Sequence, residues 1–187
     1  MGTEIENPKE NQMSAASTAK KISKGQEKAK ALRDSCWPDL DDEKLWNRKL
    51  VKGFTTIPRT MPLIMNIIDS LTKNKPAGMV YFVLWCRTFD ESLLAIDNPM
   101  TLAFESGFTG ERALSTWKDR MRSLVELGFI DAKEGPTGAH HYVLLFNPHK
   151  VVWNLKDRIQ EGMFRELQTR AIAIGASDME PAKPIEE

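Results

Sequence analysis

The stretch FTGERALSTWKDRMRSLVELGFI, Phe108 to Ile130, limits the fold more than any other part of this chain. At about 100° per residue, Ala113, Leu114, Trp117, Met121, Leu124 and Val125 fall within one arc of a helix. Arg112, Ser115, Thr116, Asp119, Arg122 and Ser123 fall opposite it. A helix divided in this way must bury one side and leave the other in water. Gly128 stops it, because glycine enters the left-handed region at no steric cost. The fold is therefore built around one amphipathic rod with a fixed end.

The residues on either side say what the rod joins. In DNPMTLAFESGFTGER, Asn98 suits an N-cap and Pro99 the first helical position. Leu102, Ala103 and Phe104 supply apolar content, and Gly107 suits a left-handed exit. After a very short turn, Thr109 would cap the next helix, which runs to about Leu127. Two helices this close, with a Gly-containing turn, form a helix-turn-helix. Beyond Gly128, FIDAKE and HHYVLLF read as strands around the turn GPTGA, which makes a hairpin. The expected fold is mainly α with a small β-hairpin.

Upstream, DLDDEKLWNRKL reads as a short helix, GFTTIP as a strand ending at Pro58, and Pro62 as the start of a helix. In that helix Leu63, Ile64, Ile67, Ile68 and Leu71 share a face. Pro76 opens a helix through about Asp90 that is apolar nearly all round and so belongs in the core. Asn147-Pro148 starts a final helix to about Ile174, with Gly162 weakening its middle. Its seam of Val152, Leu155, Ile159, Met163, Leu167 and Ala171 suits either a partner helix in a homodimer or the chain's own core. The expected organisation is a flexible basic tail (1–35), one domain (36–147), this helix (148–175) and an acidic tail (176–187).

Composition removes several function classes. Lys plus Arg and Asp plus Glu each number 26, so the net charge is zero and the chain is not globally basic. The balance is uneven, however: Lys20, Lys21, Lys24, Lys28 and Lys30 crowd the segment before an acidic run at 34–43. A basic arm of that kind speeds encounter with polyanions, and a solvated tail with no partner fits equally. The two cysteines, Cys36 and Cys86, lack metal spacing, and Cys86 lies in an apolar run, where a buried free thiol is expected. The start MGTEIENPKENQ is polar and MVYFVLWC is too short to cross a bilayer, so a soluble cytoplasmic protein with no membrane partner is expected. No glycine-rich phosphate loop or nucleophile elbow is present, and His140-His141 has no ligand partner at metal spacing. The expectation is no enzyme, no metal and no cofactor.

In MTLAFESGFTGERALSTWKDRMRSLVELGFIDAKEG the chain resembles the winged helix-turn-helix superfamily of DNA-binding proteins. GFTTIPRTMPLIMNIIDSLTKNKPAGMVYFVLWCRTF is similar to the lead-in to the winged-helix domain of plasmid and phage replication initiators. Together these stretches cover about residues 53–146. The resemblance implies a winged-helix domain that binds double-stranded DNA, either as a transcription regulator or as a plasmid or phage replication or maintenance factor.

On that reading the outward side of the second helix enters the major groove. Arg112 is suited to bond guanine through two donors, and Ser115 and Thr116 are small enough for close approach. Asp119 would accept from cytosine N4 or pair with a neighbouring Arg. Thr109 lies at the helix start, near phosphate. Lys118, Arg120, Arg122 and Lys133 would reach the backbone, and His140 and His141 would lie on the wing. The alternatives are an ordinary solvated face and hairpin, or a winged helix that joins a larger protein assembly. Zero net charge and the outward acids Asp119 and Glu126 favour the assembly role.

Overall fold

The computed structural model describes residues 24–179, and its contacts divide the chain into two units, Met1–Lys52 and Gly53–Glu187. In the first, Lys24–Cys36 forms helix α1, none of whose residues is buried. Local ion pairs accompany it: Lys30 Nζ lies 2.8 Å from Asp34, and Arg33 lies 2.6 Å from Asp34 and 3.0 Å from Asp42. The hydrogen bonds from Lys30 and Arg33 hold the Asp34 carboxyl below its ordinary range. The helix expected over DLDDEKLWNRKL shrinks to one 3₁₀ turn, Asp42–Lys44, with Asp41 accepting from Glu43 N at 3.0 Å. Asp side chains compete for nearby backbone groups, so they start turns more readily than they extend helices. Lys20 and Lys21 lie outside the described residues.

The second unit starts on coil. The strand expected in GFTTIP does not form, and Pro62 falls in the first turn of α2, Met61–Thr72. Ile64, Ile67 and Ile68 of α2 are fully buried. Asp69 Oδ1 accepts from Gly78 N at 2.7 Å, so α2 itself caps α3, Gly78–Cys86. Val80, Tyr81, Val83 and Leu84 of α3 are buried, but the helix is not enclosed. It turns Met79 and Cys86, seven residues apart and so nearly in phase, toward solvent, which makes Cys86 exposed rather than buried.

Next comes an element that sequence patterning missed, the short strand β1, Leu93–Ala95. Helix α4, Pro99–Glu105, follows, with Asn98 accepting from Thr101 N as expected. Gly107 and Gly128 both adopt positive φ, +86° and +78°, where the chain leaves α4 and α5. Helix α5, Ala113–Glu126, leads to β2, Ile130–Gly135, and β3, Gly138–Leu145. The sheet is antiparallel with order β1-β3-β2, pairing Leu93 with Leu144 and Ile130 with Leu145. Among the described residues the architecture is thus seven α-helices with one small three-stranded sheet.

The long C-terminal helix is broken. Asn147 caps α6, Pro148–Asn154; a 3₁₀ turn at Lys156–Arg158 and extended backbone at Ile159 and Gln160 separate it from α7, Glu161–Ala173. Gly162 therefore lies in a first turn rather than in mid-helix. Val152, Ile159, Leu167 and Ala171 are all buried in the domain's own core, with α7 packed on α2. The core also holds Met61, Trp117, Met121, Leu124 and Phe129. Burying a large apolar side chain contributes roughly 1.5–3 kcal/mol, so the apolar arc of α5 is a principal fastening of the unit. No helix among the described residues is long and apolar enough to cross a membrane.

Candidate functional site

Helix α5 sorts its side chains as its spacing requires, with two changes. Ala113, Trp117, Met121 and Leu124 are buried and Leu114 is half-buried, but Val125 is exposed, at the edge of the arc. Thr109 does not cap the helix. Gly110 turns through φ +77°, and Arg112 occupies the N-cap position with no side-chain capping bond. Thr109 and Arg112 are both exposed on this approach. Ser115 is exposed, with its Oγ donating to Arg112 O at 2.9 Å, and Thr116 is half-buried beside it. The link between the helices spans residues 106–112, longer than the very short turn expected.

The basic side chains of α5 divide into three settings. Arg122 donates to Asp119 one turn before it, so one of the two outward acids is paired within its own helix, while Glu126 is exposed at the helix end. Arg120 is drawn elsewhere: its Nε donates to Pro76 O at 3.1 Å and its guanidinium stands 5.8 Å from the Phe108 ring centroid. Lys118 is exposed and makes no hydrogen bond or ion pair among the described residues.

The hairpin brings a second group to α5. His140 is half-buried, with its ring edge-on to the Trp117 indole at 6.0 Å between centroids. Burial pushes its pKa below the ordinary 6.5, and the nearby charges of Lys118 and Arg122 push it further the same way. His141 turns inward instead and is buried, its Nδ1 lying 2.8 Å from Thr137 Oγ1 and 3.1 Å from Ile96 O. Successive strand residues point to opposite faces, so the two histidines could not both lie on an exposed wing. Lys133 is largely exposed and pairs with Asp131 on its own strand at 3.2 Å, which holds that carboxyl below its usual range.

Between α5 and the hairpin lies a cleft of about 230 Å³, lined by Trp117, Lys118, Arg122 and His140 together with Pro99, Thr137 and Ala139. The structure thus gathers three expected site residues, Lys118, Arg122 and His140, around one opening. Thr109, Arg112, Ser115, Thr116 and Asp119 lie along the exposed approach and outward side of α5. Lys133 has no hydrogen bond or ion pair to that helix. The indole N–H of Trp117 is buried without a hydrogen-bond partner. Such a group costs about 1–3 kcal/mol if left unsatisfied. Sequence spacing marked Trp117 only as core; no pattern could show that its polar edge would lack a partner.

One constellation escaped sequence reasoning altogether. Thr60 Oγ1 lies 2.7 Å from His149 Nε2, and His149 Nδ1 lies 2.7 Å from Asp178 Oδ1. Asn147 Nδ2 donates to Asp178 Oδ2 at 2.6 Å. The hydroxyl-imidazole-carboxylate order is that of a nucleophilic triad, but Thr60 is fully buried and out of reach of a substrate. The chain joins the start of α2, the start of α6 and the segment after α7. Hydrogen bonds from Asn147 and His149 hold the Asp178 carboxyl low against the opposing effect of burial. A search of protein-family models, of curated proteins and of solved structures finds no match to this chain.

Proposed function

We propose that Gly53–Glu187 is a winged helix-turn-helix unit that binds double-stranded DNA, with α4 and α5 as the helix pair and β2–β3 as the wing. One observation carries the reading: the polar side of α5, from Arg112 through Ser115 to Arg122, is uncovered while its opposite side is locked into the core. The sheet order β1-β3-β2, with β1 between two helices, supports it, as does the hairpin's place beside α5, where His140 meets Trp117 and β2 packs on the helix. In this reading Arg112, Ser115, Thr116 and Asp119 meet base edges. Thr109, Lys118, Arg122, Lys133 and His140 meet the backbone or the minor groove. Arg120, already bonded to Pro76, offers its remaining donors to phosphate. A transcription regulator and a plasmid or phage replication or maintenance factor would both use this surface. Homodimerisation through the C-terminal helix draws little support, since its seam is internal and the large exposed apolar residue of α7 is Ile172.

Selection of bound duplexes from a random pool tests the reading. A recovered motif that loses definition at one position with Arg112→Ala, but keeps its definition with Lys133→Ala at lower yield, supports it. Recovery of no motif and no enrichment over unbound duplex contradicts it. A second reading, a docking module in a protein assembly, is favoured by Met100 and Phe104. These lie four residues apart on α4 and are 49% and 69% exposed. An amphipathic partner helix would cover them. That reading requires Phe104→Ser to abolish co-purification with a partner while leaving duplex binding unchanged.

A further inference from the structure

We propose that the outer face of the three-stranded sheet is a self-association surface, and that its partner is the same face of a second copy of this chain. Strand pairing sets six side chains there in two rows that run across the strands. Ala95, Tyr142 and Lys133 form one row, and Leu93, Leu144 and Asp131 the other. The residues that alternate with them include Ile130, Val143 and Leu145, which turn to the opposite face and are buried in the core. An antiparallel sheet with one buried face ordinarily sets polar residues on the other. Here Leu93, Tyr142 and Leu144 are 57%, 43% and 39% exposed on adjacent strands, and only β2 adds charge.

The order of the rows selects the occupant. A second sheet covers such a face at about 10 Å, and in a two-fold dimer each patch must be complementary to itself. A two-fold axis between the sheets, crossing the strands at the level of Leu94, Val143 and Ala132, lays each row over the other row of the second copy. Leu93 of one copy then meets Ala95 of the other, large on small. Leu144 meets Tyr142, and Asp131 meets Lys133. Those two charges already lie 3.2 Å apart within one copy, so stacking joins two opposite pairs into a ring of alternating sign. A polyanion gains little from a face whose one ammonium is paired. A wholly apolar partner helix would bury Asp131 and Lys133 without further partners, which is costly. Six side chains, against roughly 20–30 residues a side in a standard interface, make the dimer a weak one.

The inference does not rest on the duplex reading, and no DNA enters its test. Sedimentation equilibrium of the full chain, from about 1 μM to about 500 μM, is expected to show a monomer–dimer equilibrium with Kd on the order of 50 μM. Leu144→Ser, an outer-face change that leaves the core intact, is expected to weaken it about tenfold or more. Lys133→Asp and Asp131→Lys each give a face of a single sign, and each variant alone is expected to dimerise about tenfold more weakly than the native chain. Mixed in equal amounts, the two are expected to recover native affinity, because an acidic face then meets a basic one. That recovery also requires both variants to be folded. A monomer at every concentration overturns the inference. Unchanged association in Leu144→Ser overturns it too, as does a mixture that dimerises no better than its components.

Discussion

Helices α1 and α5 have almost the same length, 13 and 14 residues, and both are rich in basic side chains, yet they are opposite kinds of object. Helix α1 buries nothing, and its Lys30 and Arg33 are occupied by Asp34. Helix α5 fixes Ala113, Trp117, Met121 and Leu124 in the core. Its outward side chains are therefore held in a defined direction, and Lys118 has no counter-charge among the described residues. Sequence counting of basic residues ranks these helices alike. Burial separates them: charge becomes a recognition surface when the opposite side of the helix is anchored.

The largest effect expected from that contrast is on stability. Trp117→Ala should cost about 3–5 kcal/mol, as large-to-small changes in cores do. Leu32→Ala on α1, where the side chain is 65% exposed, should stay within about 0.5 kcal/mol. Denaturant midpoints measure both, and comparable losses would erase the distinction. The second effect is on recognition. Arg112→Ala should remove about 1–3 kcal/mol of discrimination between duplexes, whereas Lys28→Ala on α1 should lower affinity for all duplexes alike, as an unanchored cation does. Competition with unrelated duplex separates the two outcomes.

A smaller effect concerns protons. His140 has a folded-state pKa below its ordinary 6.5, so the folded chain holds fewer protons at that ring than the unfolded chain does. Its contribution is complete above about pH 6.5, declines as pH falls between the two values and levels off beneath the folded one. His140→Phe should flatten stability across that interval. Asp178 behaves in the acid range: its stabilisation is present above the ordinary 3.8 and is lost as pH falls through its lower folded value. Thermal melts from pH 7 into the acid range below 3.8, on the chain and on His140→Phe and Asp178→Asn, would resolve the two steps in that order. The smallest effect is Asp119→Asn, which frees Arg122 and should change stability by about 0.2–0.5 kcal/mol.

Much of the scaffold was legible because it depends on local chemistry. The division of α5, the left-handed exits at Gly107 and Gly128, and the caps at Asn98 and Asn147 each follow from a few adjacent residues. The misses depend on distant partners. Strand β1 has only three residues and exists through its pairing with β3. The run Gly53–Pro58, which reads as more strand-like, pairs with no strand among the described residues and stays coil. The break between α6 and α7 was hidden because Val152, Ile159 and Leu167 all face the core on both sides of it, so the apolar phase continues through. At the candidate site, the types and spacing of Arg112, Ser115 and Arg122 were readable. The engagement of Arg120 by Pro76, the inward turn of His141 and the unpartnered Trp117 N–H depend on neighbours brought from elsewhere.

The most direct test of the anchored-helix account is duplex affinity measured by fluorescence anisotropy across a salt series, for the whole chain and for Lys118→Gln. The account predicts a steep linear fall of log affinity with log salt, and a slope reduced by about one in the variant, as expected when one phosphate contact is removed. Affinity independent of salt, or a slope identical in the two proteins, would contradict it.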